Sequence, residues 1–209
     1  MREIEEIRSF IEREIVPRYD DFDAGHGRDH VLTVMSQALS LAQYYHEVDQ
    51  CLLLVAAAYH DLGLINGREH HHTDSARIVR EDERLRQWFD EAEINTIADA
   101  AEDHRASSDH EPRTIYGRIV AEADRIIDGK TIVRRALQYG LKHEPGLDRE
   151  GQYCRLMEHM REKYDYGGYL KLWIPHGENA RRLEEFRQVL ADQTAFRILF
   201  DTTYDSINQ

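Results

Sequence analysis

The sequence predicts an all-α protein, a helical bundle with a C-terminal helical extension, and three observations carry that expectation. Apolar residues recur three and four apart through most of the 209 residues, residues of N-cap type precede the apolar stretches, and no alternating stretch of strand length competes with them. At 41% hydrophobic content the chain can bury one good core, with room for a small appendage.

Ile4, Ile7, Phe10, Ile11 and Ile15 mark one face of a first helix, expected to stop at Pro17. A second runs from about Arg28 to His46 with Val31, Val34, Met35, Ala38, Leu41 and Ala42 inward. Asp49 reads as the N-cap of a third, which ends near Gly63 and carries His60 and Asp61 at its close. Thr73 or Asp74 caps a fourth, a fifth spans about Glu91 to Arg105, and a sixth runs from Thr114 to Ile127 with Ile115, Ile119, Val120, Ala123 and Ile127 as its buried stripe. Asp124 stands at the edge of that stripe. The expected organisation is a helical domain over residues 1–140 and an extension over 141–209 packed on it, with helices at about 153–164 and 178–200. Between those two, Tyr164, Tyr166, Gly167, Gly168, Tyr169 and Trp173 form an aromatic loop, read as packing against the domain or a homodimer partner in preference to a lid.

The net charge of −13 argues against a nucleic-acid backbone or an anionic membrane as partner, since both demand a basic face. A polyanionic substrate then needs local cations or a metal. Cys51 and Cys154 lack CxxC spacing and frame neither a zinc knuckle nor a disulfide scaffold. No apolar stretch reaches about 18 residues, and the expectation is a cytoplasmic protein without a membrane span or signal peptide.

The chemistry concentrates at His60-Asp61, which closes the apolar stretch that begins at Cys51. Beside so apolar a stretch, a His and an Asp must be hydrogen-bonded, paired or metal-bound, because an unpaired buried charge costs several kcal/mol. His30 lies upstream where a polar entry turns into helix, and Asp124 lies downstream within Ile119-Val-Ala-Glu-Ala-Asp124-Arg-Ile-Ile. Two imidazoles and two carboxylates form a mixed nitrogen and oxygen shell suited to Mn, Fe, Co, Ni or Zn, with Mg also admissible.

The order His30, His60-Asp61, Asp124 resembles the H, HD, D signature of the HD superfamily of metal-dependent phosphohydrolases. The flanks Leu54-Val-Ala-Ala-Ala-Tyr-His-Asp-Leu-Gly and Ala121-Glu-Ala-Asp-Arg-Ile agree with it, and the resemblance covers residues 20–130. It implies an all-α HD-domain bundle that cleaves a phosphate ester with metal-activated water, with His30, His60, Asp61 and Asp124 as metal ligands. His71 and His72, in Glu69-His70-His71-His72-Thr-Asp-Ser-Ala, resemble a second histidine segment of the superfamily, and His104-Arg105 a third. In binuclear members such histidines hold a second ion bridged by the Asp of the HD pair; in mononuclear members they contact phosphate or act as general acid. The catalytic set implied is Asp61, His71, His104 and Arg105, with one or two ions and with His72 a further candidate ligand. Arg28, Arg68, Arg105 and Lys130 are the candidate cations for a nucleotide or another small phosphorylated metabolite. The same residues also resemble the di-iron set of the inositol oxygenase relatives, and a metal-stabilised regulatory module without turnover is the third reading.

Overall fold

In the computed structural model, residues 3–23, 25–106, 110–125 and 127–207 are described, and they form ten α-helices and no strand. The chain divides into two compact units, Met1–Arg125 and Ile126–Gln209. The expected seam after residue 140 therefore falls inside the second unit.

The first unit is built on α3 (Gln50–Tyr59), in which every residue from Cys51 to Tyr59 is buried. A helix that is apolar on all sides has no face to give to water. Around it pack α1 (Ile4–Phe10), α2 (Arg28–Ala42), α5 (Glu91–Glu102) and α6 (Ile115–Asp124), while α4 (His71–Glu81) lies on α5 and on the 3₁₀ turn Leu62–Asn66. Polar caps set the starts. The Asp49 carboxylate accepts the Cys51 N–H at 2.7 Å, Asp90 and Glu93 form a capping box on α5, and the Thr114 hydroxyl accepts the Gly117 N–H on α6.

Several ends differ from expectation. Pro17 does not stop the first helical stretch, which passes from α1 through a π-type segment, Ile11–Ile15, into the 3₁₀ turn Val16–Tyr19. Proline is tolerated in that first turn, where its missing N–H has no helical partner to lose. α2 closes at Ala42, short of His46, as Tyr44 and Tyr45 tighten to bonds three residues back. α4 starts at His71, ahead of Thr73 and Asp74, and the Thr73 hydroxyl donates to the His70 carbonyl where a cap would accept. α5 ends at Glu102 and α6 at Asp124; Ile126, inside the expected sixth helix, lies outside the described residues.

The second unit comprises α7 (Gly129–His143), α8 (Arg149–Tyr164), α9 (Glu178–Ala191) and α10 (Gln193–Ile207). α7 was not among the expected helices, yet it is capped by Asp128 and buries Ile132, Val133 and Leu137 against α8 and α10. The single helix expected over 178–200 is two, because Asp192 is extended and its carboxylate accepts the N–H groups of Thr194 and Ala195. The aromatic loop folds within this unit: Tyr164 packs edge-on against Phe186, and the Tyr166 hydroxyl donates to Glu184 at 2.6 Å. No helix among the described residues is long and apolar enough to cross a membrane.

Candidate metal centre

Five helix ends of the first unit meet at one point. His30 comes from the first turn of α2, His60 and Asp61 from the end of α3, His71 is the first residue of α4, His104 follows α5, and Asp124 is the last residue of α6. A helix end orients a side chain firmly because the helix behind it is packed, while leaving the residue free of the next turn.

Three of the histidines are oriented by one device. His60 Nδ1 lies 2.8 Å from the Ala57 carbonyl, His71 Nδ1 2.8 Å from that of Arg68, and His104 Nδ1 2.6 Å from that of Ala101. A carbonyl only accepts, so Nδ1 holds a proton, and a ring that gives up its other proton presents the lone pair of Nε2 inward. This is the tautomer a metal requires.

The inward atoms fall into two sets joined by one carboxylate. His30 Nε2 is 3.1 Å from Asp124 Oδ1, 3.4 Å from His60 Nε2 and 3.6 Å from Asp61 Oδ2. His60 Nε2 is 3.3 Å from Asp61 Oδ2 and 3.7 Å from Asp124 Oδ1. On the other side, Asp61 Oδ1 is 3.3 Å from His104 Nε2 and 3.7 Å from His71 Nε2, and those two nitrogens are 3.1 Å apart. Ligands about 2.1 Å from a common ion stand about 3.0 Å apart at octahedral angles and about 3.4 Å apart at tetrahedral ones. The donor set and spacing fit a metal in both sets, His30–His60–Asp124 and Asp61–His71–His104.

The electrostatics point the same way. Burial opposes a charge on His30 and His60, but the carboxylates of Asp124 and Asp61 outweigh it and raise both imidazoles above their ordinary pKa. Burial also opposes charge on Asp61 and Asp124, yet the facing histidines hold both far below the usual carboxylate range. His71 moves the other way: burial and the neighbouring His104 ring bring it down to about 4. Two largely enclosed carboxylates therefore draw positive charge into the pocket. A divalent cation meets that demand more fully than protons shared among the rings.

The remaining candidates separate. His72 belongs to neither set, and its Nδ1 lies 3.3 Å from Arg105 Nη1. Arg105 also donates to the Glu69 carbonyl at 2.8 Å, and Arg28 is held by both oxygens of Asp20 at 2.9 and 2.7 Å. Arg68 is exposed at the rim, where Nη2 donates to His26 Nε2 at 3.0 Å while His26 Nδ1 faces Asp23 at 2.9 Å. His26 links these two, its ring 5.9 Å from that of His30. Lys130 lies in the second unit, on the wall of a cavity of about 720 Å³. Asp103 is buried and accepts from the Arg113 backbone and guanidinium. Tyr19 touches the turn at Asp61 and was not anticipated, since a tyrosine behind Pro17 has no periodic signal of its own.

A helical bundle that gathers histidines and carboxylates from five helix ends into two sets able to hold metal ions is a helical metal-centre domain. The family model of the HD domain matches residues 27–128, and the chain is an HD-domain protein. No curated protein and no solved structure matched it.

Proposed function

We propose that this HD domain is a two-metal hydrolase of a phosphate ester carried by a nucleotide or another small phosphorylated metabolite. The observation that carries the reading is Asp61, whose Oδ2 faces His60 and His30 while Oδ1 faces His104 and His71. A carboxylate so flanked is suited to bridge two cations. His30, His60 and Asp124 would hold one and His71 and His104 the other. When bound, such ions lower the pKa of a water toward neutrality and offset the charge of a phosphoryl group.

The chain's own residues supply orientation and charge. Arg68 is the cation best placed for a phosphate, since its guanidinium is exposed and, among the described residues, meets His26 and, at 3.6 Å, Asp23. Its fork suits bidentate contact with phosphate oxygens. Arg105, by contrast, is tied to the Glu69 carbonyl and to His72, so it holds the segment that carries Arg68. His71 fixes the same segment by donating to the Arg68 carbonyl.

Elemental analysis of the purified protein, anomalous scattering at a transition-metal edge, and a phosphate-release screen with Mn, Co, Ni, Mg and Fe test the proposal together. We expect two metals per chain about 3.5–4 Å apart, with His104→Ala losing one and keeping the other. A single ion among His30, His60, Asp61 and Asp124, unchanged in His104→Ala, would overturn the two-metal reading. The same six side chains also support a di-iron oxygenase, and iron content with substrate-dependent O₂ consumption would favour it. Metal binding without turnover on either screen would leave the regulatory module.

A further inference from the structure

We infer that Tyr19, in the N-terminal segment outside the HD-domain match, is a positioning residue for the metal pocket; the inference rests on the metal reading above. The end of α3 poses a particular problem. The last carbonyls of a helix have no partners within it, and here that end is buried among apolar neighbours and must also aim two ligands. The Ala57 carbonyl is met by His60 Nδ1 at 2.8 Å. The Ala58 carbonyl is met by the Tyr19 hydroxyl, which donates to it at 2.8 Å and accepts the Asp61 N–H at 3.4 Å. One hydroxyl thus joins the backbone on either side of His60, spanning the turn from which both His60 and Asp61 project.

Tyr19 is suited to this by its setting. It is fully buried, packs edge-on against Phe22 with ring centroids 5.3 Å apart, and closes the 3₁₀ turn Val16–Tyr19. The family match begins at residue 27, so this contact comes from a part of the chain that the match does not include. Groups that orient ligands from behind typically change metal affinity about 10–100-fold when removed.

The test compares two tyrosines of the same unit. Tyr59 is also fully buried, and its hydroxyl donates to Asp82 at 2.8 Å, so Tyr59→Phe removes a similar bond without touching the Ala58 carbonyl or the Asp61 N–H. Co(II) is titrated into metal-free wild type, Tyr19→Phe and Tyr59→Phe, following the visible absorption of bound Co(II), the melting temperature of the metal-free proteins, and exchange of the Asp61 amide by NMR. We expect Tyr19→Phe to weaken Co(II) binding about 10–100-fold, to alter the Co(II) spectrum and to speed Asp61 amide exchange, while Tyr59→Phe lowers the melting temperature and leaves affinity and spectrum at wild-type values. Equal Co(II) affinity and spectra in Tyr19→Phe and wild type would overturn the positioning role, as would equal losses in both variants. Wild type that takes up no Co(II) would overturn the metal reading itself.

Discussion

At the scale of single residues the pocket is a competition between protons and cations. His30 and His60 have pKa values raised in the folded protein, so without metal they add stability that is complete below the unfolded imidazole value of about 6.5 and is lost as the pH rises through their folded values. Asp61 and Asp124 have lowered values, so their contribution is present above about 3.9 and is lost as the pH falls through their folded values. The melting temperature of chelator-treated protein is therefore expected to fall as the pH rises above about 6.5, by about 2–4 °C for each kcal/mol lost. Saturating divalent metal should remove that fall, because the cation replaces the protons. Differential scanning calorimetry across this range checks it, and a metal-free melting temperature that rises with pH would contradict the assignment. The histidines and aspartates themselves were readable from residue type and order. Their pairing was not, because spacing along the chain says nothing of which oxygen of Asp61 faces which ring.

At the scale of elements, the site depends on how closely α4 approaches the turn after α3. Gly63 lies in that turn, donates to the Ser75 hydroxyl at 2.9 Å, and leaves no room for a side chain: a β-carbon there would collide with the His71 carbonyl and stand 2.6 Å from the Ser75 nitrogen. Both are backbone atoms of α4, so relief requires the helix to move. Gly63→Ala is expected to cost about 3 kcal/mol in urea denaturation and to release the metal held by His71 and His104 in preference to the other. Loss of stability with both metals retained would show that α4 can shift without His71 following. Gly63 reads from the sequence only as the stop of a helix. The approach that requires glycine is made by a helix whose start was expected three or four residues later, because His71 occupies the first turn without a side-chain cap.

At the scale of the whole molecule, a net charge of −13 repels a polyanionic substrate and attracts cations. Raising ionic strength from about 0.01 to 0.15 M shortens the screening length from about 30 to 8 Å. With metal saturating, kcat/KM for a phosphorylated substrate should rise several-fold over that range, while apparent metal affinity measured by titration should fall. A kcat/KM that falls with salt would mean that the local field of Arg68 and the bound metal outweighs the overall charge. The second unit adds a different kind of organisation. Arg149 and Arg197 on α8 and α10 share Asp201, and each reaches a further carboxylate, Asp205 for the first and Glu150 for the second. That network closes across helices far apart in sequence.

That the protein is all-α, that its HD-type signature lies on an apolar framework, and that His30, His60, Asp61 and Asp124 belong together could all be read from residue order. Apolar periodicity and caps are local properties, and a motif in fixed order survives without coordinates. It took the folded arrangement to place Asp61 between two histidine sets, to hold Arg105 by backbone while Arg68 faces outward, to set α7 with the C-terminal helices, and to bring Tyr19 to the turn at Asp61. Each of these depends on the direction of a side chain or on contact between distant segments. Those are settled by packing and by the need to satisfy buried polar groups, neither of which is written in residue order.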